Sequence, residues 1–223
     1  MSLLLYVGPL LIIALCLGFV GKTGLWHSLL TFFNVLTAAV LAMNYFEPAA
    51  TWLDSKMPTF SYLIDVVVLW GLFVGFFAVL RLVTDRISQV QVRFHRWVDV
   101  PVGMLVSVWT GWLLVCLLMT SLHVAPLPRH GFGGAFQPTP AARMFFGLAP
   151  DRQWLAFMQQ LSAGGFGKGS GRGDEPSAGL FDPEGTFILK YDARRAIYET
   201  TSELRVRRVF GKGIVEEGRP RDE

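Results

Sequence analysis

The sequence predicts an all-α membrane protein: a four-transmembrane-helix bundle with an interfacial amphipathic segment and a partly disordered C-terminal tail. Three observations predict it. Four long runs are almost free of formal charge, each long enough to cross a hydrocarbon core of roughly 30 Å. Only 17% of the 223 residues are charged, while 52% are hydrophobic; soluble domains usually carry about a quarter charged residues. Mean hydropathy is correspondingly positive, +0.43. Finally, Gly103, Ser107 and Gly111 recur every four residues in the fourth run. That spacing puts three small residues on one helix face, where another helix can approach to backbone contact.

The first span covers residues 3–20, about 18 residues or roughly 27 Å of helix. It has no Lys or Arg ahead of its apolar stretch and no Ala-x-Ala at its end, so it reads as a retained span rather than a cleaved signal. Gly18-Phe19-Val20-Gly21-Lys22-Thr23-Gly24 follows as a tight connection whose glycines permit a sharp reversal. The second span, 25–46, carries His27, Asn34 and Asn44 together with a small pair, Ala38 and Ala42. Glu47-Pro48 and the stretch through Pro58 are expected to break it into a short loop.

The third span, 60–83, has Gly71 and Gly75 in Gly-x-x-x-Gly spacing, a second candidate for helix packing, and Arg81 placed to snorkel at its end. From 84 to 98, Ile87, Val90, Phe94 and Trp97 follow helical spacing while Asp85, Arg86, Arg93 and Arg96 cover other faces. Such a pattern fits an interfacial helix or an extension of the third span. The fourth span, 100–123, has Asp99 and Pro101 at its head, where a carboxylate accepts free amides and a proline gives up no bond.

Residues 1–124 thus read as the membrane unit, and 125–223 as a Gly/Pro-rich tail with short helices. Residues 130–140 and 163–179 read as loop and linker. Asp151 can start a helix whose Trp154, Met158 and Leu161 share a face, lying on the membrane or against the bundle. Further on, 186–191 reads as a short strand, 192–204 as a helix with Arg194 and Arg195 exposed, and 211–223 as disordered.

The net charge of +3 and the pI near 9.0 arise from basic residues in short connections and in the tail. Placed there, they set membrane orientation rather than recruit nucleic acid, for which no binding module is recognisable. Lys22 in the first connection and Arg81, Arg86, Arg93 and Arg96 near the third fall on one side of a four-span chain. The positive-inside rule makes that side cytoplasmic and leaves both termini outside.

Chemistry is sparse. Cys16 and Cys116 both lie in apolar runs, where cysteine behaves as a small hydrophobe. His27, His95, His123 and His130 lack the i, i+4 spacing of a metal pair. No serine elbow is present, and Gly21-Lys22-Thr23 lacks the upstream residues of a phosphate loop. The expectation is no catalytic residue, no cofactor and no metal. Three polar residues remain as functional candidates. Asp65 is the one formal charge in the apolar part of the third span, functional by default in lipid unless it reaches the headgroups or caps its helix. Asn34 either bonds a neighbouring helix or lines a transport path. Asp99 caps its own helix or pairs with a basic residue such as Arg96.

The order of four spans, a glycine-rich basic turn after the first, and Asp99-x3-Gly103-x3-Ser107-x3-Gly111 opening the fourth resembles the colicin V production (CvpA) family of bacterial inner-membrane proteins. The likeness covers residues 3–122. Its sharpest part is the run from Asp99 to Gly111, where Ser107 stands at a position that is usually glycine in the family. The resemblance implies a multi-pass protein of the bacterial cell inner membrane, linked to colicin V production or export or to envelope maintenance. It carries over no catalytic residues. The partners in that picture are the lipid bilayer, other copies of the chain and other envelope proteins. The alternative is a channel or transporter subunit using Asp65 and Asn34, although four spans show no inverted repeat.

Overall fold

The computed structural model describes residues 2–56, 61–88, 95–127, 132, 145–163, 181–182 and 185–200. The regular elements among them are helices: α1 (Ser2–Phe19), a 3-10 turn (Gly21–Thr23), α2 (Leu25–Lys56), α3 (Ser61–Ile87), α4 (Arg96–Val124), α5 (Pro150–Ala163) and α6 (Phe187–Thr200). Among the described residues, four stretches are long and apolar enough to cross a membrane: Leu3–Thr23, Leu25–Lys56, Leu63–Ile87 and Trp97–Val124.

The long helices form an open bundle. α4 packs against both α1 and α2, while α3 lies along α2 and touches α4 little. One place where α3 and α4 do meet is a bond of 3.2 Å from Trp70 Nε1 to Ser121 Oγ. The α1–α2 turn defines a hairpin end, and the end of α4 defines a tail end onto which α5 and α6 fold. A single core cluster joins Ala38, Met43 and Phe46 of α2 to Leu69 of α3, Leu117 of α4, Trp154 of α5 and Tyr191 of α6. The C-terminal helices therefore share the hydrophobic interior of the spans, and α5 lies against the bundle through Trp154 and Met158.

Three expectations are corrected. α2 does not stop at Glu47-Pro48 but runs through Pro48 to Lys56, 32 residues in all. At 1.5 Å per residue that is roughly 48 Å, well beyond a bilayer core, so α2 stands out as a post at the tail end. The bond lost at proline is outweighed by burial of Phe46 and Ala50 along one face of that post. The strand expected over 186–191 is helix from Phe187 onward. Asp182 accepts the amides of Thr186 and Phe187 at 2.8 and 2.9 Å and so starts α6. Phe187, Tyr191 and Arg195 then share one buried face at helical spacing. By the same geometry Arg194 and Arg195 are not exposed: they retain 8% and 2% accessibility.

The segment from 84 continues α3 as far as Ile87, whereas 89–94 lies outside the described residues. The loop, linker and terminal expectations for 130–140, 163–179 and 211–223 also lie outside them, Phe132 and the helical Ala163 excepted.

Candidate functional site

At the hairpin end the small residues of α4 form a seam. A Cβ placed on Gly111 would lie 2.9 Å from Ile13 Cα of α1, and one on Gly103 would lie 3.2 Å from the Leu25 amide nitrogen. Ser107 is fully buried between them, its hydroxyl donating to the Gly103 carbonyl at 2.8 Å. A Cβ on Gly21 of the 3-10 turn would come within 3.3 Å of that hydroxyl. The seam thus holds α1, the turn and the start of α2 at backbone distance, which only minimal side chains permit.

Gly71 and Gly75 behave differently. A Cβ at either would meet nothing within 4 Å outside the backbone of its own helix. As a helix-packing pair they meet no other helix among the described residues: both lie on a face of α3 that none of those residues covers.

Asp99 is also placed otherwise than expected. α4 begins at Arg96, so Asp99 is already inside the helix, where its own amide bonds the His95 carbonyl at 2.9 Å. Its carboxylate reaches across to α2 and accepts the Leu25 amide at 2.9 Å. It caps α2, not α4, and brings negative charge to the positive end of that helix. Gly24, with φ +90°, lets the chain turn beneath it; a Cβ there would be 3.0 Å from Asp99 Oδ2. Asp99→Ala is expected to lower stability by about 1 kcal/mol, a typical N-cap loss, while Asp99→Asn, which keeps an acceptor, should cost less. Unfolding midpoints in detergent would show equal losses if the cap were irrelevant.

A polar cluster joins α2 to α3 toward the same end. Asn34 Nδ2 donates to Thr84 Oγ1 at 2.9 Å. Arg81 does not simply snorkel to water: it donates to Asp85 Oδ2 at 3.0 Å and to Thr31 Oγ1 at 3.2 Å, and lies 2.9 Å from His27 Nε2. Guanidinium can only donate, so His27 Nε2 accepts. Asn34→Leu is expected to cost about 0.6 and at most about 1.7 kcal/mol. Pairing it with Thr84→Val should add little beyond either single change, and strict additivity in a double-mutant cycle would refute the bond.

The tail end holds the buried charges. Asp65, 2% accessible, pairs with Arg194 of α6. Glu47 on the α2 post accepts from Lys190 Nζ at 2.7 Å and from the Tyr191 hydroxyl at 3.4 Å. His123 Nε2 and Asp151 Oδ2 lie 2.9 Å apart between α4 and α5, both buried. These contacts clamp α5 and α6 onto the bundle, and each charge taken from water is met by an opposite or hydrogen-bonding group.

The structure therefore separates the candidates into two places. Asp99, Gly103, Ser107 and Gly111 gather at one seam, Asn34 joins α2 to α3 near it, and Asp65 belongs to the opposite end. Reading the sequence missed Arg194, His123 and Asp151. The one available signal was that a carboxylate in a span needs a cation, and no other charge lies in the apolar part of that span.

A family model described as Colicin V production protein matches residues 7–145, well over half of the 223-residue chain. The match runs past the likeness read from the motifs, taking in the start of the segment that leads to α5. No curated protein matches the chain, and no solved structure does. With four helices able to span a membrane and the glycine seam intact, the chain belongs to the colicin V production protein family.

Proposed function

We propose that the protein is a non-enzymatic, multi-pass component of the bacterial inner membrane that supports colicin V production or export, or envelope maintenance, by assembling with its own copies or with other envelope proteins. The observation carrying this reading is the use made of its intramembrane polar groups. Asp65 is engaged by Arg194, and Asn34 by Thr84. The two side chains a conduction path would draw on instead fasten helices together.

Deleting the gene in a colicin V-secreting strain should lower secreted toxin or tolerance of envelope stress. Wild-type protein restores it and Gly111→Leu does not. Deletion without either defect would overturn the reading. Solute or proton flux through reconstituted vesicles that Asp65→Asn alters would replace it with the channel reading.

In this proposal the hairpin end, with Lys22 and the basic residues near the end of α3, faces the cytoplasm, and α5 and α6 face the periplasm. An alkaline phosphatase reporter fused after Glu223 should be active, and one inserted after Gln89 inactive. The reverse pattern would invert the topology.

A further inference from the structure

The turn that leads into α5 presents two large apolar side chains outward. Phe146 is 70% exposed and Leu148 50%. Between α4 and this turn, by contrast, Phe145 is buried against Trp112, their ring centroids 5.8 Å apart. The backbone enforces this split. Phe145, Phe146, Gly147 and Ala149 have φ of 49°, 54°, 82° and 48°, and the Leu148 amide closes the turn on the Phe145 carbonyl at 3.0 Å. Left-handed residues in succession are avoided by L-amino acids. Here they turn one ring into the bundle and the next one out. In water that outward display would forfeit hydrophobic free energy.

The neighbour of Phe146 indicates what covers it. Its ring packs on Tyr6 of α1, with centroids 4.7 Å apart. Tyr6 belongs to the opening turns of a helix whose outward surface, Leu3, Leu4, Val7, Leu10 and Leu11, is apolar and exposed. That surface is the lipid side of the first span. Tyr6 lies only about 6 Å along the axis from Ser2, and interfacial segments bury their apolar faces roughly 5–10 Å deep. Tyrosine is favoured at this headgroup boundary. Phe146 and Leu148 therefore continue the lipid-facing surface of α1 rather than opening a separate patch.

We propose that Phe146 and Leu148 form a wedge inserted into the headgroup and upper acyl region of the leaflet at the tail end, anchoring the start of α5 to lipid as well as to the bundle. The inference rests on the reading of the long helices as lipid-embedded, and its test keeps the two apart. Cys16 and Cys116 are buried, so a maleimide-linked NBD fluorophore reports an introduced cysteine. Four labelled proteins are compared in phosphatidylcholine–phosphatidylglycerol vesicles: Phe146→Cys, Leu148→Cys, Leu11→Cys on the lipid side of α1, and Gln160→Cys on the exposed side of α5.

With shallow doxyl-labelled lipid, fluorescence at 146 and 148 should fall at least twofold while aqueous iodide leaves it unchanged; Gln160→Cys should respond the opposite way. Iodide quenching at 146 and 148 like that at 160 would overturn the wedge. So would protection from both quenchers, which would mean that protein covers the turn. If Leu11→Cys also ignores the doxyl lipid, the lipid-embedded reading itself falls and takes the wedge with it.

Discussion

Gly111→Ala is expected to destabilise the folded chain by about 1–3 kcal/mol, the usual range for overpacking, and Gly111→Leu by more. The reason is geometric. The new methyl would stand 2.9 Å from Ile13 Cα, 3.3 Å from Ile13 Cγ1 and 3.4 Å from Cys16 Cβ. The first of these atoms is backbone, so relief requires α1 to move away from α4 as a body, loosening the contacts of the 3-10 turn as well. Gly75→Ala supplies the internal control: its methyl meets open space, and a change within about 0.5 kcal/mol is expected. Thermal or SDS unfolding midpoints, with abundance in membranes, measure both. Equal midpoints for the two variants would show that the seam does not hold α1.

Removing one partner of the Asp65–Arg194 pair should be the other large effect. Asp65→Ala takes the Asp65 carboxylate away from a guanidinium with little access to water, and Arg194→Ala takes that guanidinium away from the buried carboxylate. Each is expected to cost about 3–5 kcal/mol, whereas replacing both by leucine and methionine should recover most of the loss or exceed the parent. Lys190→Ala offers the contrast. Its bond to Glu47 is more accessible, with side-chain exposures of 32% and 38%, and such pairs are worth about 0–1 kcal/mol. A double variant as unstable as the sum of the two single ones would mean that the two charges act independently and that the clamp is not ionic.

Much of this was legible in the sequence because lipid is an exacting solvent. A span must be about 20 apolar residues long and satisfy its own backbone, which leaves helix as the form of each oily run. The α4 seam was legible for a related reason: small residues every four positions favour close helix contact where hydrophobic residues confer no special attraction. The same signature on α3 is not used in this way: among the described residues nothing approaches Gly71 or Gly75.

Asp99 shows the limit at closer range. Its capping chemistry was readable, yet the helix it caps begins 74 positions upstream. At Pro48 and over 186–191, local propensity pointed to a loop and a strand. Burial of Phe46 on one side and of Phe187 and Tyr191 on the other made helix in both places, because packing energy exceeds the small preferences of single residues.

By itself the sequence determined that the chain crosses a membrane with four helices, that α4 carries a face fit for backbone contact, and that Asp65 is the one formal charge in the apolar part of the third span. Only the tertiary structure decided that α1 and the turn occupy that face, that α2 rises past its proline to receive α6, and that Asp65 pairs with Arg194, 129 positions away. Composition and spacing register what a segment exchanges with its solvent. Which distant group meets a buried charge depends on the whole chain closing at once, and no local pattern encodes it.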